Sequence, residues 1–191
     1  MQEDSVENQQ SDHEKIVTAT KRWVESLVIG LNLCPFAKRE MVKNRVRFVV
    51  TDATTGDSLL ICLQAELALL QHNDSIETTL LIHHQALQNF TDYNEFLAEA
   101  DFLLNTMDLD GIFQIASFHP DYQFAGTDPE DVENYTNRSS YPMLHLLRED
   151  SLEKAIDNYP DADQIPERNI ARLKEMGLEK VQALLHSCFV R

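Results

Sequence analysis

Glycine is scarce in this chain, at 5 of 191 residues, and no glycine-rich loop of the kind that cradles phosphate can be assembled from so few. Cysteine is scarcer still. Cys34, Cys62 and Cys188 are odd in number, widely spaced and form no C-x-x-C pair, which argues against a disulfide framework and for a reducing compartment. Basic residues are outnumbered, 16 Lys and Arg against 32 Asp and Glu, for a net charge of −16. Residues 1–14 alone carry five of the acids and no Lys or Arg, and the remainder is still at about −11. Such a field repels phosphates and no basic stripe offsets it, so nucleic acid is not expected as a partner. No apolar run approaches the roughly 20 residues that span a bilayer, and no basic-then-apolar signal stands near the start. The expectation is a cytoplasmic protein without a membrane partner.

Several catalytic and metal motifs are missing as well. Asp108-Leu109-Asp110-Gly111 lacks the later ligands of a calcium loop. His83 and His84 are adjacent, so in a strand they point to opposite faces and make a poor metal pair. There is no nucleophile elbow and no H-E-x-x-H.

What is present is ordinary core material. Hydrophobic residues make up 43% and aromatics 8%, enough for one substantial core without metal or disulfide staples. The first 14 residues have no apolar period and read as a disordered acidic tail, leaving 15–191 as a single domain. From Lys15 the spacing of Ile16, Thr20, Trp23, Leu27 and Leu31 predicts a helix. Strands are predicted over 45–52, 78–84, 111–117 and 142–148, with helices over 57–72, from Thr91, over 150–158 and on either side of Gly177. The order gives an α+β fold, a mixed sheet of about four strands with helices packed on it, ferredoxin-like or a related two-layer sandwich.

Pairing the third and fourth strands antiparallel leaves residues 118–141 as one long connection, a length that is uncommon in compact domains unless it is functional. His119 then lies near Asn137, Arg138 and Ser139. His119 reads either as an acid/base group or metal ligand, or as a strand-end imidazole held by a backbone carbonyl. Tyr122 and Phe124 either wall a pocket or anchor the loop. Arg138 suits two parallel bonds to an anion, or a salt bridge to the acids crowding the same loop. His145 interrupts an apolar run and reads as a hydrogen-bonded core histidine or a ligand. Arg148 pairs with a neighbouring acid or helps hold an anion. Cys34, after a helix and before Pro35, is either a small buried residue or a nucleophile whose thiol a nearby cation would acidify.

Three blocks, "GLNLCPFA" at 30–37, "QIASFHPDYQFAGT" at 114–127 and "NRSSYPMLHLLRE" at 137–149, together resemble the bacterial family DUF1415 from about residue 15 to about 160. The resemblance supplies no reaction. It implies that Cys34, Pro35, His119, Tyr122, Asn137, Arg138, His145 and Arg148 belong to the family's signature. Ser140 stands where that pattern usually has Pro, and His84 where Pro usually follows His83. The functional expectation is an enzyme acting on a small anionic substrate, with Cys34, His119 and Tyr122 catalytic and Asn137, Arg138, Ser139, His145 and Arg148 binding it. The alternatives are a metal- or haem-binding protein using Cys34 with His119 or His145, and a non-enzymatic binding or regulatory module. The metal, the cofactor and any protein partner are left open.

Overall fold

Thr78–Ile82, strand β2, is buried at all five positions. A continuous run of this kind needs cover on both faces, and it gets that cover by lying inside a sheet with helices above and below. In the computed structural model, which describes residues 2–189, β2 pairs in parallel with β1 (Val46–Val50) on one side. On the other side it pairs antiparallel with β4 (Met143–Arg148), and β4 pairs antiparallel with β3 (Phe113–Phe118). The sheet is mixed and four-stranded, in the order β1-β2-β4-β3, within an α+β chain. Met1 and residues 190–191, the ends of the expected tail and domain, lie outside the described residues.

The parallel pair is joined by α3 (Gly56–Gln71), and α4 (Phe90–Thr106) leads from β2 to β3. α3 starts where Thr55 accepts a bond from the Ser58 amide and Ser58 accepts one back from the Thr55 amide, a reciprocal cap. Both helices bury one face of the sheet. Leu59, Leu63, Leu67, Leu70, Tyr93 and Phe96 pack on Leu81, Leu144 and Leu146. Each fully buried leucine contributes about 2 kcal/mol of transfer free energy. The other face, with Leu80, Ile82 and Met143, is covered by α1 (Gln2–Trp23), a π-helical turn at Val24–Ile29 and the last helix. The layers are therefore three, one more than a two-layer sandwich has, because the alternate residues of β2 are apolar on both sides. After the short α2 (Ala37–Val42), the remaining helices are α5 (Glu149–Asp157), α6 (Ile165–Met176) and α7 (Leu178–Ser187). A third cluster of Leu31, Leu33, Tyr135, Leu173 and Val181 ties α6 and α7 to the loop after β3.

The polar segment expected as a tail over 1–14 is helical from Gln2. Glu and Gln are good helix formers that need no apolar stripe, so periodicity misses them. Gln9 and His13 also bond the Asp52 carboxylate, each at 2.8 Å, which holds this turn against the end of β1.

Tyr93 sets where the sheet stops. Its buried hydroxyl donates to Met143 O at 2.8 Å and accepts from Phe118 N at 3.1 Å, bridging the last pair of the β3–β4 ladder. Burial raises the phenol's pKa, which keeps it neutral and able to do both. Beyond it the partners change. His83 N donates to Pro142 O at 3.1 Å, so β4's extension stays beside β2, while His119 exchanges backbone bonds with Asn137 and Ser139. Tyr93→Phe leaves a part-buried N–H and a buried carbonyl without their shared partner. The expected loss is about 2–4 kcal/mol, read as a lower urea midpoint at unchanged m-value, with amide exchange accelerating first at Phe118.

Candidate functional site

Where the strands part, the loop folds back on itself through its polar side chains. His119, 1% exposed, accepts from Asp121 N on Nδ1 at 3.0 Å. Its proton is therefore on Nε2, which donates to Leu87 O at 3.2 Å. The ring packs on Tyr93 and Phe90, with centroids at 5.1 and 5.5 Å, and burial lowers its pKa. Both nitrogens are thus engaged by backbone.

Arg138 is used in the same way. Nε donates to Tyr122 O at 3.1 Å and an Nη to Pro129 O at 2.7 Å, while the guanidinium lies over the Tyr135 ring at 4.6 Å. The Arg138 carbonyl accepts from the Trp23 indole N–H at 3.0 Å, which fastens the loop to the end of α1. Ser139, almost fully buried, donates to Tyr141 O at 2.7 Å. Asn137 Nδ2 donates to Ser117 O at 3.1 Å. Tyr122 wedges its ring between Phe90 and Phe124, at 5.1 and 4.9 Å. Asn134, which is not among the residues expected to form the site, is the buried hub of the loop. Its Oδ1 accepts from Phe124 N and Thr127 Oγ1, and its Nδ2 donates to Asp128 O.

Beside this loop lies a cavity of about 530 Å³. Phe118, Phe124 and Asn137 form one wall, Leu33 and Cys34 another, and Pro166, Asn169 and Ile170 of α6 a third. The Cys34 segment reaches the cavity through unusual backbone. At the end of the π-helical turn, Leu33 N and Cys34 N both donate to Val28 O, and Asn32 takes a positive φ of 55°. A Cβ at position 30 would sit 2.2 Å from Ser26 O, so the turn requires Gly30. Burial raises the Cys34 thiol's pKa, outweighing the lowering from the Phe36 and Ala37 backbone, so at neutral pH it is a thiol. Among the described residues Glu133 is the one charged group in the lining, and it is paired with Lys174 at 2.9 Å.

The eight residues singled out in the sequence therefore divide. Cys34 and Asn137 line the cavity; His119, Tyr122, Arg138 and Ser139 shape the loop that bounds it. His145 stands behind Phe118, ring centroids 6.0 Å apart, with Nε2 2.7 Å from the Thr78 hydroxyl. Arg148 is at the opposite end of β4, where it donates to Leu70 O, Asn73 O and Ile76 O and so closes the C-terminal end of α3. Six strand residues, or about 17 Å, keep it away from the loop.

Burial lowers the His145 pKa from 6.5 to about 4. The folded state thus prefers the neutral ring, and its contribution is complete above pH 6.5 and lost as pH falls towards 4. Denaturant midpoints measured from pH 7.5 to 4.5 are expected to fall less steeply in His145→Gln, which retains a donor for Thr78, than in the wild type.

No curated protein and no solved structure matches the chain. A family model does, over residues 15–183, a stretch that holds all three sequence blocks and every side chain of the cavity wall. The chain belongs to the family described as Protein of unknown function (DUF1415).

Proposed function

We propose that the protein binds a small, largely apolar, neutral or cationic ligand in the cavity between Cys34, the loop after β3 and α6, and that it acts as a binding or regulatory module. The observation that carries this reading is the wall itself. All three sequence blocks contribute to it, through Cys34, through Phe118, Phe124 and Thr127, and through Asn137, yet what they present is mostly apolar surface and an uncharged thiol. A volume of about 530 Å³ suits a small organic molecule. Asn137, Thr136 and Glu133 at one side offer it polar contacts, and the acidic balance of the chain disfavours an anion or a nucleic acid.

Turnover of an anion by a Cys/His/Arg set draws less support. His119 has both nitrogens on backbone, Arg138 has its Nε and one Nη on carbonyls, and Arg148 serves α3. A metal or haem held by Cys34 with His119 or His145 meets the same difficulty, since His145 Nε2 faces Thr78. The free thiols at Cys34, Cys62 and Cys188 fit a reducing, cytoplasmic setting.

Titration of the full chain with a neutral solvatochromic dye should give saturable binding at one site. Ile170→Trp, which fills the cavity from α6, is expected to weaken it at least tenfold without altering the circular dichroism. Dye should also slow alkylation of Cys34, monitored by peptide mass spectrometry. Equal dye affinity in Ile170→Trp, with Cys34 unprotected, would sink the proposal; tighter binding of an anionic dye that is lost in Arg138→Gln would restore the anion reading.

A further inference from the structure

The parallel register that pairs Val50 with Ile82 continues by one bond, from Thr51 N to Ile82 O at 2.9 Å. Two residues beyond each strand end therefore stand side by side, Asp52 after β1 and His84 after β2. The carboxyl ends of adjacent parallel strands are a recurrent place for binding sites. α1 supplies a third group there. His13 Nε2 is 2.8 Å from Asp52 Oδ1, the His13 and His84 rings meet edge to face at 5.8 Å, and one ligand atom from each of the three residues lies within 4.8 Å of the others.

An unpartnered nitrogen makes the cluster more than an ion pair. His84 Nδ1 is buried without a hydrogen-bond partner among the described residues, while Nε2 is 2.9 Å from the Gln85 side-chain amide. The oxygen and nitrogen of that amide are interchangeable in placement. With the oxygen facing the ring, Nε2–H donates to it and Nδ1 is left as a buried lone pair, which is costly unless a cation meets it. This is the tautomer of a metal-bound imidazole, whose other nitrogen donates to an outer oxygen. Gln9 Nε2, donating to Asp52 Oδ2 at 2.8 Å, orients the carboxylate in the same outer-shell manner.

We propose that His13, Asp52 and His84 bind a divalent transition-metal ion of the zinc type, with the remaining coordination positions open to water. Two imidazoles and one carboxylate suit an ion of borderline softness, whereas magnesium and calcium require oxygen donors. Donor atoms around a tetrahedral ion stand about 3.3 Å apart, so on binding the wider gaps close from at most 4.8 Å while the His13–Asp52 pair opens from 2.8 Å. The site is separate from the cavity, and His13 precedes the segment that the family model matches, so the two proposals stand or fall apart.

The test is calorimetric titration of the full chain with Zn²⁺, alongside the visible absorption of the Co²⁺ form. One ion per chain is expected. His13→Ala and His84→Ala should each weaken binding at least tenfold and remove the cobalt bands, with the circular dichroism of the metal-free protein unchanged. His72→Ala, which alters a histidine outside the cluster, should bind as the wild type does, and millimolar Mg²⁺ should not compete. Wild-type protein that takes up no zinc, binding that survives in both variants, or displacement by Mg²⁺ would each overturn the proposal.

Discussion

The hydroxyl of Tyr93 is the point on which the loop side of this molecule turns. One oxygen, held in the core by α4, satisfies Phe118 N–H and Met143 C=O together, and beyond it β3 and β4 go to different partners. β4's extension stays with β2 through Pro142, and β3's extension meets Asn137 and Ser139. A polar bridge of this kind costs more to lose than it contributes when made, because its loss leaves a buried carbonyl and a part-buried N–H without their shared partner. The long connection is thus anchored at its root by an interaction that belongs to the core, and the loop's own side chains need only shape the residues between its two ends.

They do so almost entirely through backbone. His119, Arg138, Asn137, Ser139 and Asn134 each reach a main-chain group, which is the accounting that an irregular, half-buried segment of this length must satisfy. These residues thus have a structural role that is separate from chemistry: a His, an Arg and two amides can hold a loop whose carbonyls would otherwise be left bare. Ser140 is the exception in its neighbourhood. Its hydroxyl is buried without a partner among the described residues. The chemical character of the neighbouring cavity then comes from what the loop leaves facing inward, chiefly Phe118, Phe124 and the thiol of Cys34.

The strands and most helices were legible in the sequence because each has a period that side-chain burial enforces. The continuous run of β2, the leucine stripe of α3 and the aromatic face of α4 are direct consequences of where the core lies. The antiparallel β3–β4 pair could be read too, and with it the approach of His119 to Asn137 and Ser139. What composition could not reveal is the use of polar groups. An imidazole with two free nitrogens and one with both nitrogens on carbonyl and amide have the same letter, so the sequence left both readings of His119 and of Arg138 open. Asn134 and the π-helical turn before Gly30 left no periodic trace, since one is a hydrogen-bond hub and the other a local change of backbone pitch. The company of His84 was hidden for a different reason. His13 and Asp52 come from segments 71 and 32 residues away in the numbering, and it takes the register of β1 on β2 together with the packing of α1 to bring the three together.

Helix α1 connects these two parts of the molecule. His13 sits at the strand ends, and Trp23, ten residues and about 15 Å further along the same helix, donates to Arg138 and packs its indole on Phe118 at 5.1 Å. The π-helical turn comes directly after it and delivers Val28 and Cys34 to the cavity. A helix is stiff along its axis, so the anchorage of α1 at Asp52 and its grip on the loop at Arg138 share one rigid element. The orientation of α1 on the sheet therefore sets both the cluster at the ends of β1 and β2 and the Cys34 wall of the cavity, and whatever fixes the first constrains the second.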